Sequence, residues 1–283
     1  MSMSIACDQD RQVIIDDAVS QQQLAIDCHQ RIITSDCELD WVDGDLQGVY
    51  REELRIFQYP RHAIFITLAW APKRQEAVAA RIHSLIEQLP IALGDAVHRV
   101  YVPRKIFGES ARLEDTVAFC SRQNIFFWPS SSEHSDDDVF EITVLAHEAA
   151  HAYANLTHNN DGYDLLPSGV EKAWATAQKR DKRHALFVLS QGVARSISGS
   201  NLTFGQMLRR FPVGSRWVSS YAQGSQKDCE DWAEAVGFWV ASTVQNNGIL
   251  AVINDGEHAR TQWAFKKLYP HRTRILERTF RKW

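Results

Sequence analysis

The sequence predicts an α+β protein, with a small mixed sheet ahead of a central helix and a mainly helical C-terminal half. Three observations predict it. Short runs rich in β-branched and aromatic residues, bounded by proline or polar residues, fall before residue 130. Beyond residue 138, apolar residues recur at helical spacing almost to the end. The first of these helical runs carries His147-Glu148-Ala149-Ala150-His151, an H-E-x-x-H sequence.

Taken in order, residues 1–30 form a polar N-terminal segment with Val13, Ile14, Leu24 and Ile26 at loosely helical spacing. The remainder, 31–283, reads as one domain. Its part 31–118 is α/β in texture without a nameable motif, and its part 119–283 holds the candidate chemistry. Leu46 to Tyr59 and Ala63 to Trp70 read as strands, and Pro60-Arg61-His62 between them suits a hairpin. Lys73 to Leu89 carries a helical apolar stripe at Ala77, Ala80, Ile82, Leu85, Ile86 and Leu89. Arg99 to Val102 is a short strand stopped by Pro103.

Asn124 to Trp128 is a further strand, closed by Pro129. A strand just ahead of a metal-binding helix can offer its free edge to an extended peptide. Asn124, Phe126 and Trp128 are therefore candidate substrate contacts, against the alternative of an ordinary core strand. Ser135-Asp136-Asp137-Asp138 stands where carboxylates cap free amides and suit the helix dipole, which favours capping over a cation site. A helix is expected over 139–156, then a turn at Asn159-Asn160-Asp161-Gly162. Further helices are expected at 169–197, 203–210, 226–245, 257–268 and 270–282.

Bulk properties narrow the function classes. The 283-residue chain is 45% apolar and 23% charged, ordinary for a globular protein with a sizeable core. Its net charge of −4 gives no general case for nucleic-acid binding. Arg272, Arg274, Arg278, Arg281 and Lys282 make a locally basic tail, expected to be a solvated helix face. The opening residues lack a basic region followed by an apolar stretch, and the apolar run Ala63 to Ala71 is too short to span a bilayer. The expectation is a cytoplasmic protein, or one exported by a route without a cleavable signal. Five cysteines, Cys7, Cys28, Cys37, Cys120 and Cys229, form no C-x-x-C and argue against a cysteine zinc site. Cys28 and Cys37 can still pair if the protein is exported.

The H-E-x-x-H stretch carries the chemistry. On a helix, residues four apart share a face, so His147 and His151 can bind one zinc ion, with Glu148 as general base on a zinc-activated water. In a chain with 11 histidines and 15 glutamates, chance supplies about 0.02 such matches. A catalytic zinc usually takes a third protein ligand. His158 is out of register with the pattern that uses a third histidine, where Thr157 stands. Asp161 and Asp164 lack the Gly-Thr context of the pattern that uses an aspartate. Glu230 and Glu234 are four apart and flanked by Ala233, Ala235 and Val236, which suits a buried helix better than a solvated glutamate pair. One carboxylate can bind zinc while the other accepts the free ring N–H of a ligand histidine. Spacing does not say which does which.

His147-Glu-Ala-Ala-His151, then Trp217-Val-Ser-Ser-Tyr221, then Glu230-Asp-Trp-Ala-Glu234 resembles the gluzincin metallopeptidases of the anthrax lethal-factor type, a group that includes the Pro-Pro endopeptidases. The match covers roughly residues 120–283. It implies a zincin-like catalytic domain, with Glu230 as the zinc ligand, Glu234 as its support and Tyr221 as the donor to the developing oxyanion. Tyr221 lies further ahead of Glu230 than the family spacing, with Gly224-Ser225-Gln226 available to absorb the difference. The expectation is a zinc-dependent endopeptidase acting on a protein or peptide substrate. Two other roles are carried forward. One is a toxin or secreted effector, with an inhibitor or immunity protein as partner. The other is a catalytically inactive, zinc-stabilised protein-binding module. Trp217, Trp232 and Trp239 are expected to pack in the core.

Overall fold

The computed structural model describes residues 30–39, 48–103, 118–127, 138–159, 165–196, 216–225, 227–244, 250–254, 257–261 and 265–281. The polar segment up to residue 29, Trp128, Ser135, Asp136, Asp137, Asp161, Asp164 and the helix expected at 203–210 lie outside them. The described elements are β1 (Gln30–Leu39), β2 (Gly48–Gln58), β3 (Ala63–Thr67), α1 (Pro72–Glu87), α2 (Ile91–Ala96), β4 (Arg99–Val102), β5 (Ala118–Ser121), β6 (Asn124–Phe127), α3 (Asp138–Thr157) and α4 (Glu171–Ser196). They continue with α5 (Ser220–Ser225), α6 (Asp228–Val244), β7 (Leu250–Asn254), β8 (Glu257–Thr261), α7 (Phe265–Leu268) and α8 (Pro270–Thr279).

The architecture is α+β, with a mixed sheet and a mostly helical C-terminal half. Six strands stand in the order β1-β2-β3-β4-β6-β5. The expected hairpin is β2–β3, antiparallel from Leu54 opposite Thr67 to Gln58 opposite Ala63. A parallel step from β3 to β4 needs a long crossover, which α1 and α2 provide. β6 is parallel to β4, and β5 returns antiparallel on β6.

Alternation along the strands buries both faces. Phe57, Ile64, Ile66, Val100, Val102, Ile125 and Phe127 face a helical layer that includes Ile82 and Ile86 of α1, Ile142, Leu145 and Ala149 of α3, and Trp232 and Val236 of α6. Leu54, Ile56, Ala63, Phe65, Tyr101 and Phe126 form a second cluster on the opposite face. There Phe65, Tyr101, Phe126 and Phe119 stack ring on ring across four strands, with centroids 4.7, 4.9 and 4.5 Å apart. Burial on both faces is why β3 and β6 read as continuous apolar runs rather than alternating ones.

α3 and α6 pack closely against one another beneath the sheet. A Cβ on Gly237 of α6 would stand 2.7 Å from the Thr143 carbonyl of α3, so only glycine permits this approach. α3 ends at Thr157, and Asn159 follows with φ 56°, a left-handed C-terminal cap. Trp217, Trp232 and Trp239 are buried as expected.

Three expectations need correction. The stretch 257–268 is not one helix: β8 pairs with β7 over 257–261, and the helix covers only Phe265–Leu268. Asp255-Gly256 between the two strands is a hairpin signal that outweighs a loose helical spacing. Arg272 is not part of a solvated face. It is 1% exposed and paired with Asp181 and Asp231, while Arg274, Arg278 and Arg281 are exposed. β6 has no free edge, because β4 and β5 flank it. Among elements not expected from the sequence, β1 and β5 take their strand form from their partners β2 and β6.

Candidate metal centre

Four side chains converge where α3 meets α6. His147 and His151 lie one turn apart on α3, and Glu230 and Glu234 lie one turn apart on α6. His147 Nδ1 stands 3.1 Å from Glu234 Oε1. A carboxylate can only accept there, so Nδ1 carries a proton and Nε2 faces inward. His147 Nε2 is 3.2 Å from His151 Nε2 and 3.3 Å from Glu230 Oε2, and His151 Nε2 is 3.6 Å from that same oxygen. The separation of two ligands on a tetrahedral zinc at ordinary bond lengths is about 3.3 Å. The trio therefore has the spacing of one face of a zinc tetrahedron. It is also the only such group among the described residues.

The electrostatics agree. Three atoms with lone pairs facing one another repel unless a cation or proton lies between them. Glu230 Oε2 is buried with no hydrogen bond aligned on it. Burial alone would raise the Glu230 pKa, but the two imidazoles outweigh it and hold the group well below the usual carboxylate range. Burial alone would lower His147, but Glu230 and Glu234 outweigh it and raise it. This is a site built for positive charge, and two nitrogens with one carboxylate oxygen suit zinc.

Glu148 is 7% exposed on α3 beside the trio. Burial pushes its pKa up, as do Glu230 and Glu234, while His147 and His151 pull against them. A carboxylate lifted in this way is nearer the working range of a general base at neutral pH. Tyr221 lies on α5 in a T-shaped arrangement with His147, centroids 6.0 Å apart. Desolvation and the surrounding carboxylates raise its pKa, so its hydroxyl stays protonated and can donate. The residue as a whole is 59% exposed, so it borders open space rather than filling the core. Gly224 and Ser225 belong to the short helix α5 rather than to a loop.

Of the candidate substrate contacts, Trp128 lies outside the described residues. Phe126 is 1% exposed in the aromatic stack on the sheet face away from α3. Asn124 begins β6 opposite Ser121 of β5 and Arg99 of β4. The strand beside the site is β5. It packs against α3, and Glu148 adds to burial in raising the Cys120 thiol pKa. Among the described residues β5 pairs with β6 alone. Asn155, one turn beyond His151, ties this hairpin to α3 by donating 2.9 Å to the Arg122 carbonyl. Arg122 has φ 56°. Asn155 belongs to no motif, and Cys120 stands out in the sequence only as one of five cysteines without a C-x-x-C. His158 is not near the trio; its Nε2 donates to the Leu166 carbonyl at 2.8 Å.

No protein-family model matches the chain, and no curated protein matches it.

Proposed function

We propose that the chain is a zinc-dependent endopeptidase. The observation that carries the reading is the convergence of His147 Nε2, His151 Nε2 and Glu230 Oε2 at tetrahedral spacing, with Glu234 behind His147 and Glu148 beside it. Bound zinc supplies Lewis acidity, which makes water acidic and polarises a carbonyl. The chain's own residues do the rest. Glu148 takes the water proton on its carboxylate and returns it to the departing amine. The Tyr221 hydroxyl donates to the oxygen that gains charge, a contact of the kind worth about 2.7–4 kcal/mol in rate. Glu234 holds the His147 ring by its Nδ1 proton. The edge of β5 is the place for an extended peptide to pair.

The test is Glu148→Gln beside the wild type, read by elemental analysis and by mass spectrometry of a proteome-derived peptide mixture. The reading expects one zinc per chain in both, and a turnover lower by about 10²–10⁴-fold in the variant. Full cleavage by the variant would overturn the assignment of Glu148. Zinc without cleavage in the wild type would favour a zinc-stabilised binding module. An effector role is a further proposal: expression of the wild type, and not of Glu148→Gln, should then arrest growth of a sensitive host. Among the described residues no helix is long and apolar enough to cross a membrane.

A further inference from the structure

Glu230 is followed at once by Asp231, and the two point to different places. Glu230 meets the histidines, while Asp231 is 0% exposed and enters a buried polar cluster. Its Oδ2 accepts from Trp174 Nε1 at 3.0 Å, Gln178 Nε2 at 2.9 Å and Arg272 Nη2 at 3.0 Å. Its Oδ1 accepts from the backbone N–H of Val218 at 2.8 Å. Arg272 Nη2 also donates to the Arg216 carbonyl. Tyr269 Oη donates to the Val218 carbonyl at 3.4 Å. The Arg272 end is itself anchored, since Asp181 accepts from the backbone N–H of His271 and Arg272 at 2.8 and 2.9 Å.

The strand of contacts leads to Tyr221. Val218 precedes Ser219, whose Oγ accepts from the Ala222 N–H at 3.0 Å and caps α5. Tyr221 sits in that first turn. A core requirement for a buried ion pair would be met anywhere on α6. Here it is spent on the backbone of 216–218, and on the residue adjoining the proposed ligand. An exposed tyrosine on a short helix is otherwise free to move, and misplacing a reacting group by about 1 Å can cost roughly 10²-fold in rate.

We infer that Asp231 and Arg272 are positioning residues that set where Tyr221 stands relative to His147, His151 and Glu230. The inference rests on the peptidase reading for its consequence in rate, though not for the tie itself. It does not require either residue to touch substrate.

The test uses Arg272→Lys, Tyr221→Phe and the double variant of the full chain. Lysine keeps the positive charge beside Asp231 but cannot fork to the Arg216 carbonyl as well. Zinc content and amide exchange are read first, and neither needs turnover. The expected result is one zinc per chain, unchanged protection across α6, and faster exchange over 216–225. Steady-state kinetics on a peptide the wild type cleaves should then show kcat lower by about 10- to 100-fold with KM unchanged. In the Tyr221→Phe background, Arg272→Lys should cost no further rate. Loss of zinc together with faster exchange across α6 would overturn the inference and make the pair a general core tie. So would unchanged exchange over 216–225, or effects that multiply in the double variant. If Arg272→Lys does not fold, Tyr269→Phe removes only the hydroxyl on the Val218 carbonyl. It should shift exchange over 216–225 and kcat in the same direction by a smaller amount, and no shift would overturn the inference. An inactive wild type whose 216–225 exchange still responds would sink the peptidase reading and leave the tie standing.

Discussion

At the scale of single residues, charge decides most of the behaviour. Glu230 and Glu234 raise the His147 pKa, so on the proposed reading zinc displaces a proton when it binds. Zinc affinity should therefore rise with pH through the neutral range, and binding should release protons. Calorimetry in two buffers of different ionisation enthalpy measures this directly; a zero proton count would mean that His147 is already neutral. Glu234→Ala should weaken zinc by about 10–100-fold, whereas Glu230→Ala should remove it. His62 behaves in the opposite sense to His147. It is 3% exposed, its Nε2 lies 3.3 Å from His83 Nδ1, and burial and His83 lower its pKa to about 4. The unfolded chain binds that proton more tightly than the folded one. The stability this histidine contributes is thus complete above its unfolded value of 6.5 and is lost as pH falls from there toward about 4. The loss is on the order of 3 kcal/mol. Urea unfolding of wild type against His62→Phe over that range should show the difference, and parallel curves would refute it.

At the scale of elements, the site is the meeting of two helices, and their separation is set by a hydrogen atom. Gly237 lies on the α6 face that also carries Glu230 and Glu234, and its contact Thr143 lies one turn before His147. Gly237→Ala would place a methyl 2.7 Å from the Thr143 carbonyl. Backbone must move to make room, at a cost of about 1–3 kcal/mol. The same movement draws Glu230 away from His147. Denaturant unfolding should show the first effect and zinc titration the second; an unchanged zinc affinity would mean that the helices part without opening the trio. The i, i+4 pairs on α3 and α6 were readable from sequence, because helical periodicity alone puts each pair on one face. That the two faces meet is inferred from the need for a third ligand, and the resemblance adds only which glutamate faces the histidines. Distances place Glu230 3.3 Å from His147 Nε2 and Glu234 3.1 Å from its Nδ1. The error at β6 has a plain cause. A strand that is apolar on both faces reads the same whether it lies at an edge or inside, and sheet order depends on where β5 returns.

At the scale of the whole molecule, the hydrophobic core is assembled apart from the His147–His151–Glu230 trio. The main hydrophobic cluster runs from the sheet through α1, α3 and α6 to Leu276 and Phe280 of the C-terminal end without using His147, His151 or Glu230. Chelation should therefore leave the helical circular dichroism signal in place while lowering stability by about 4 kcal/mol relative to protein in zinc at a thousand times its Kd. Collapse of the signal on chelation would instead mark a structural zinc. The sequence alone determined the mixed α+β class, the β2–β3 hairpin, the long helices and the four glutamates and histidines of the site. Each of these follows from local spacing, which acts within a few residues of chain. Tertiary structure alone decided the sheet order, the β7–β8 hairpin in place of a helix, and the place of Arg272. That arginine stands in a run of basic residues and reads as one of them. Its burial comes from Asp181 and Asp231, carboxylates on α4 and α6 that only the folded chain brings to it. A charge enters a core when a partner waits there, and the partner's position is a property of the fold.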